Sequence, residues 1–209
     1  VELSYKGANC IQINTKTGSL VTDPNLTTLG LKDVPTAKTD IYLLTQEEFR
    51  PANSGESFVI STPGEYEVKG FSIQGLAARS HMDAEDKHSA TIYRINIGLL
   101  NILVTGHIYP ELSDKQLEQL GIIDVMVVPV GGNGYTLDAT GASKLVRRVD
   151  PKIVIPTHFA DPSINYPVPQ RELEEFVKEL GAPYGTVDKL KLKTDALLDG
   201  LSVTEIKRL

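Results

Sequence analysis

The sequence predicts an α/β protein in which two β-sheets pack face to face between outer helices, a four-layer αββα sandwich. Three observations predict it: strand-like runs fill the first half, helix-period runs alternate with strand-like runs in the second, and no long linker divides the two. The halves are therefore read as sharing a core. With 209 residues and 41% hydrophobic content, residues 1–209 suffice for one domain with a substantial interior.

Taken in order, apolar residues alternate through Leu3 and Tyr5 and again from Cys10 to Ile13. A turn at Thr17-Gly18 leads into Ser19-Leu20-Val21-Thr22, which ends at Asp23-Pro24. These read as successive antiparallel strands. Ile41-Tyr42-Leu43-Leu44 is continuously apolar, as a strand covered on both faces would be. Phe58-Val59-Ile60, Tyr66-Glu67-Val68 and Phe71-Ser72-Ile73 follow, with turns at Pro63-Gly64 and Lys69-Gly70. After Thr91–Ile95 and Asn101–Val104 the texture changes. Ser113 and Gln116 have capping-box spacing and open a short helix that stops at Gly121. Val125–Val128 is a strand, and Ala142, Leu145, Val146 and Val149 recur at helical spacing before Asp150-Pro151. Ile153–Ile155 is another buried strand. Leu173, Phe176, Val177 and Leu180 repeat the helical period up to Gly181, and strand-like pieces near Leu190–Leu192 and Leu201–Val203 close the chain.

The formal net charge is −6, from 21 Lys and Arg against 27 Asp and Glu spread along the chain. No basic stripe could neutralise a phosphate backbone, so nucleic acid is not an expected partner. No stretch is long and apolar enough for a bilayer, so no membrane is expected either. The single cysteine, Cys10, cannot form an internal disulfide and reads as a small buried hydrophobe. With no charged-then-apolar leader at its start, the chain is expected in a reducing cytoplasm.

Three loops leave apolar strands carrying unusual residues: Thr45-Gln46-Glu47-Glu48-Phe49-Arg50-Pro51, Thr105-Gly106-His107 and Pro156-Thr157-His158-Phe159. Such loops are where a rigid scaffold presents reactive side chains. Around them, Gly7–Ile11, Val21–Pro24, the Ser61–Val68 hairpin, Thr91–Ile95, Glu111-Leu112-Ser113, Val128–Gly132 and Val154–His158 follow one another in a telling order. In that order and spacing the chain resembles, over nearly its whole length, the metal-dependent hydrolases of the metallo-β-lactamase superfamily, in the small branch that includes sugar-lactone hydrolases.

The resemblance implies the αββα sandwich and a two-metal hydrolytic site, and it also shows where this sequence departs. Intact members carry His-x-His-x-Asp-His after the strand matching Ile41. Here Gln46 and Glu48 stand at the first two histidines, Arg50 at the aspartate and Pro51 at the last histidine. A further family histidine falls at Val104 and the metal-bridging carboxylate at His107, while the terminal histidine is kept as His158. Val104 and Pro51 offer no donor atom, and a guanidinium close to a divalent cation repels it. Without a metal, no bound water is acidified to a pKa of about 7.

The first expectation is therefore a homologue without cofactor that has kept the fold and lost the hydrolysis. The alternative is a rebuilt site in which Glu48, His107 and His158 hold one zinc or other divalent ion and act on a lactone, phosphoester or similar substrate. A third reading turns the vacated pocket into a binding site: Arg50, His107 and His158 would hold a small anion, with Gln46, His81, Gly131 and Gly132 on its rim. Plainer readings stand beside these. Glu48 and Arg50 suit a surface ion pair, His88 a solvated loop, and His158 a satisfied buried histidine.

Overall fold

In the computed structural model, which describes residues 1–35, 39–193 and 200–208, the early apolar alternation folds into three antiparallel strands. They are β1 (Glu2–Gly7), β2 (Cys10–Asn14) and β3 (Ser19–Thr22). Next, β4 (Ile41–Leu43) and β5 (Phe58–Ile60) join β3 in parallel. An antiparallel run follows, made of β6 (Gly64–Val68), β7 (Phe71–Ala78), β8 (Ala90–Ile97) and β9 (Leu100–Val104). Lys69 and Gly70 both take positive φ, 52° and 81°, the paired left-handed conformation that a two-residue hairpin requires between Val68 and Phe71.

The rest of the chain alternates helices and strands: α1 (Asp114–Leu120), β10 (Val125–Pro129), α2 (Ala139–Val149), β11 (Ile153–Thr157) and α3 (Leu173–Leu180). It ends with β12 (Tyr184–Val187), β13 (Leu190–Lys191) and β14 (Ser202–Ile206). Ser113 and Gln116 form the expected capping box on α1. The sequence did not announce β12, because it is an edge strand whose residues face solvent and follow no apolar alternation. Among the described residues no helix is long and apolar enough to cross a membrane.

Two sheets result, ordered β13-β1-β2-β3-β4-β5 and β12-β14-β11-β10-β9-β8-β7-β6. Between them lies one core, in which Leu3, Ile13, Leu20 and Leu43 of the first sheet meet Tyr93, Ile102, Val125 and Ile155 of the second. The outer face of the second sheet packs Leu103, Met126 and Val154 against Leu145 of α2 and Phe176 of α3. The layer outside the first sheet differs from the helices expected there. Among the described residues it is a 3-10 turn at Leu26–Leu29 with the loop beyond it, resting on Cys10, Val21, Tyr42 and Leu44. Cys10 is fully buried in that layer. Tyr42 and Leu44 point outward while Ile41 and Leu43 point into the central core, so β4 is covered on both faces, as its unbroken apolar run requires.

Because β9, β10 and β11 run parallel, their C-terminal ends open on the same edge of the sandwich. A set of hydrogen bonds at Thr45 ties that edge together. Thr45 donates its backbone N–H and its hydroxyl to the carboxylate of Asp23, each at 2.7 Å, and its carbonyl accepts from Thr91 N at 2.8 Å. Gly106 lies so close that a Cβ there would fall 2.3 Å from Thr45 Oγ1, and its φ of +62° also favours glycine.

Burial pushes the Asp23 carboxyl up to about 7, against the opposing pull of the two Thr45 bonds. In the unfolded chain the group titrates near 3.8. The folded state therefore binds the extra proton between those values, and this contribution to stability is lost as pH rises from about 4 to 7. Asp23→Asn should gain on the wild type across that window by on the order of 4 kcal/mol, read from denaturant melts at stepped pH. A constant difference between the two proteins would show that Asp23 enters the fold already charged.

Candidate functional site

The site is assembled from the three loops that the parallel strand ends bring to one edge. His107 follows β9 and His158 follows β11, and the two imidazoles meet edge to face with ring centroids 4.6 Å apart and planes at 87°. Each retains 3% of its surface. Phe49 and Tyr135 pack edge-on against His107 at 5.1 and 4.8 Å, and Tyr166 lies against His158 at 4.5 Å. The two histidines thus occupy an aromatic box.

Hydrogen bonding fixes the state of His158. Gln170 donates its amide N–H to the Val168 carbonyl at 2.7 Å, which turns its Oε1 toward His158 Nδ1 at 3.1 Å. That oxygen only accepts, so the imidazole carries its proton on Nδ1 and leaves a lone pair on Nε2. Burial pushes His158 down to about 4, partly offset by the Gln170 bond. His107 lies well below its ordinary value, through burial first and then through His158 and His81 nearby. Its Nε2 is buried without a hydrogen-bond partner. Both rings are neutral at pH 7.

A cleft of about 410 Å³ opens beside His107, lined among others by Gln46, Glu48, Ser80, His81 and Tyr135. His81 is anchored by its backbone N–H, which donates to the His107 carbonyl at 2.9 Å, while its half-buried ring leaves Nδ1 unpartnered. Gln46 donates to Ser80 Oγ at 3.1 Å and leaves Oε1 unpartnered. Asp83 is spoken for: burial would raise its carboxyl, but Ser89, Ser80 and Lys87 together hold it down at about 2.

Several expected roles change. Arg50 does not meet Glu48 or the histidines. The 3-10 turn Glu47–Phe49 brings it back over Glu47, which takes both Nε and Nη2, and Ser61 lies at 3.4 Å. The surface ion pair is therefore Arg50 with Glu47, and the anion cradle of Arg50, His107 and His158 is not assembled. Gly131 and Gly132, expected on the rim, are buried and are not among the residues that line the cleft. A Cβ on Gly131 would fall 2.1 Å from the His158 carbonyl, and one on Gly132 3.1 Å from Asp138 Cβ. Val104 lies in the core between the sheets and His88 is exposed.

A catalytic zinc needs about three converging donors and an open position for water. Among the described residues no three His, Cys, Asp or Glu side chains gather closely enough to hold a metal ion. Glu48 is exposed on the cleft wall, while His158 is packed behind His107 and does not line the cleft. The residues present thus do not fit the metal centre of the family, either as the original pair or as Glu48, His107 and His158.

The chain matches the model of the β-lactamase superfamily domain over residues 2–158 and belongs to that superfamily. A metal-dependent hydrolase from Carboxydothermus hydrogenoformans is 29% identical over 98 residues, which are 47% of this chain and 41% of that protein. This chain thus spans less than half the length of that relative. Among solved structures, a Thermotoga maritima protein assigned to the Zn-dependent hydrolases of the metallo-β-lactamase superfamily is similar with a TM-score of 0.74. It is 22% identical, with 98% of this chain and 99% of the other covered. A metallo-β-lactamase fold protein from Bacillus subtilis gives 0.63 at 10% identity, covering 99% and 96%. At such identities the likeness shows the shared sandwich.

Sequence reasoning missed Phe49, Tyr135, Tyr166 and Gln170. Tyr135 had a signal, since it closes the glycine-rich loop Gly131–Gly134. Gln170 had none, because it is a polar residue in an irregular stretch.

A histidine held neutral contributes stability that is complete above its unfolded value of 6.5 and lost as pH falls from there toward the folded value, about 4 for His158. Replacing the ring by His158→Phe removes that titration. The wild type should therefore lose on the order of 3 kcal/mol relative to the variant between pH 6.5 and 4, measured by chemical denaturation. A gap that stays flat over this range would mean that His158 is not held neutral.

Proposed function

We propose that this member of the metallo-β-lactamase superfamily has kept the sandwich and given up the metals, and that it serves as a non-catalytic homologue binding a small ligand beside His107. One observation carries the reading. The His107 and His158 rings pack edge to face in a box of Phe49, Tyr135 and Tyr166, so aromatic contacts occupy the ground where ligands would converge on a metal. The substitutions agree with it. Arg50 and Pro51 stand where a carboxylate and an imidazole would be needed, and Arg50 is paired at the surface.

The rival is a hydrolase with one metal on Glu48, His107 and His158, acting on a lactone or phosphoester. The unpartnered His107 Nε2 and the lone pair of His158 Nε2 favour it, and relatives named for metal dependence keep it in play. Against it stand the exposure of Glu48 and the absence of any converging trio among the described residues.

Elemental analysis of untagged protein, incubated in turn with zinc, manganese and iron and then desalted, separates the two. Metal should stay at background, and a chelator should leave the thermal midpoint unchanged. About one metal per chain, lost in both His158→Ala and Glu48→Gln, would establish the rival.

A further inference from the structure

Along one side of the sandwich the last strand of each sheet, β5 and β6, has no neighbouring strand beyond it among the described residues. Phe58 of β5 and Val68 of β6 line one cleft of about 600 Å³, which places both edges on that side. This cleft shares no lining residue with the one beside His107. On β5, Phe58 lies on the same face as Ile60, which is buried between the sheets, yet Phe58 is 48% exposed. Tyr66 and Val68 of β6 pack on the same core and are themselves only partly buried. The core between the sheets is thus unfinished here, with an aromatic ring at its open end.

The backbone of β6 is unfinished as well. The two-residue turn at Lys69-Gly70 makes Val68 and Phe71 a hydrogen-bonded pair, and the alternation of an antiparallel ladder does the same for Tyr66 with Ile73 and Gly64 with Gly75. The N–H and C=O groups of Glu65 and Glu67 therefore point away from β7 toward the open edge, and nothing among the described residues bonds them. Both glutamate side chains are exposed, stand on the face opposite Tyr66, and have no partner among the described residues.

Charge decides what can pair with this edge. A second copy of β6, turned antiparallel about Tyr66, would set Glu65 against Glu67, like charge against like. A strand with Lys or Arg opposite both glutamates gains at the same two positions, and the residue between them would turn to the Phe58 side. Of the charged groups lining the cleft, Asp40 accepts from Ser19 N at 2.8 Å and from its hydroxyl at 3.2 Å. Glu56 adds to the acidic field, and Lys69, at the turn, opposes it.

We infer that β6 is a docking edge for an extended basic segment of another protein, taken up as an added antiparallel strand. Its Lys or Arg residues stand opposite Glu65 and Glu67, and the apolar residue between them covers Phe58. The inference does not rest on the metal-free reading of the cleft beside His107.

Anisotropy of a capped, labelled peptide, Ser-Val-Lys-Val-Lys-Val-Ser, titrated with the whole chain tests it. Saturable binding is expected. Glu65→Gln and Glu67→Gln should each weaken it about two- to fivefold, the worth of a cross-strand charge pair, and Phe58→Ser about three- to tenfold. N-methylation of one lysine removes an amide hydrogen that bonds β6 and should cost at least about tenfold, whereas N-methylation of the middle valine, whose N–H faces the other way, should change binding less than about twofold. The acidic counterpart, Ser-Val-Glu-Val-Glu-Val-Ser, should bind only the double variant Glu65→Lys with Glu67→Lys.

Absence of binding by the basic peptide overturns the inference. So does binding that is equally sensitive to either N-methylation, or to neither, since charge attraction without strand pairing would then be at work. Binding that survives charge reversal on β6 overturns it too. A dimer of the free chain in sedimentation, abolished by Glu65→Pro, would make the occupant a second copy; proline there removes only an N–H on the open edge and spares the ladder to β7.

Discussion

Thr45 stands where the two sheets are tied together at the site edge. Its amide and hydroxyl are taken by Asp23 from the end of β3, its carbonyl by Thr91 of β8, and its side chain packs directly on Gly106 beyond β9. Each cleft-bearing loop leaves from one of these points or from the strand beside it. Gln46 is the next residue after Thr45, and His107 the next after Gly106. Tyr93, which donates to the Leu44 carbonyl at 2.9 Å, adds a second strut between the sheets just behind the first. The site therefore inherits its geometry from backbone that is already bonded.

On the metal-free reading proposed above, the scaffold holds these loops without an ion. In a metal centre, converging histidines are held in place by the ion and by the groups that hydrogen-bond to their other ring nitrogens. Here the same task falls to ring packing and to Gln170, which fixes the His158 tautomer from behind. Burial then decides the charge. Two imidazoles 4.6 Å apart in a low-dielectric box cannot both carry protons without a steep desolvation cost, so the pair stays neutral. Arg50 pairs with Glu47 across one turn of 3-10 helix.

Much of the fold was legible because its signals are local. The alternation of β1 to β3, the two-faced run of β4, the Ser113–Gln116 box and the helical periods of α2 and α3 each follow from short stretches of sequence. The outer layer over the first sheet was not legible, since its described residues form a 3-10 turn and a loop, which carry no period. At the site, the resemblance singled out positions 46, 48, 50 and 51 but not where their side chains would turn. Whether Arg50 points to His107 or to Glu47 depends on one turn of backbone geometry. The aromatic box was hidden for a different reason. Phe49, Tyr135 and Tyr166 come from three distant loops, and only the tertiary fold brings them onto two histidines.

The proposed function requires the two imidazoles to be neutral, packed and indifferent to metal. Long-range nitrogen–proton correlation spectra of the histidine rings, recorded from neutral pH down to about 4 with and without zinc, report this directly. His158 should stay neutral, with its proton on Nδ1, until the pH nears 4, His107 should be neutral at neutral pH and take up its proton only well below the ordinary value, and neither ring should change on adding zinc. Ring nitrogens that shift on zinc addition, or that take up protons near the ordinary value of 6.5, would contradict it.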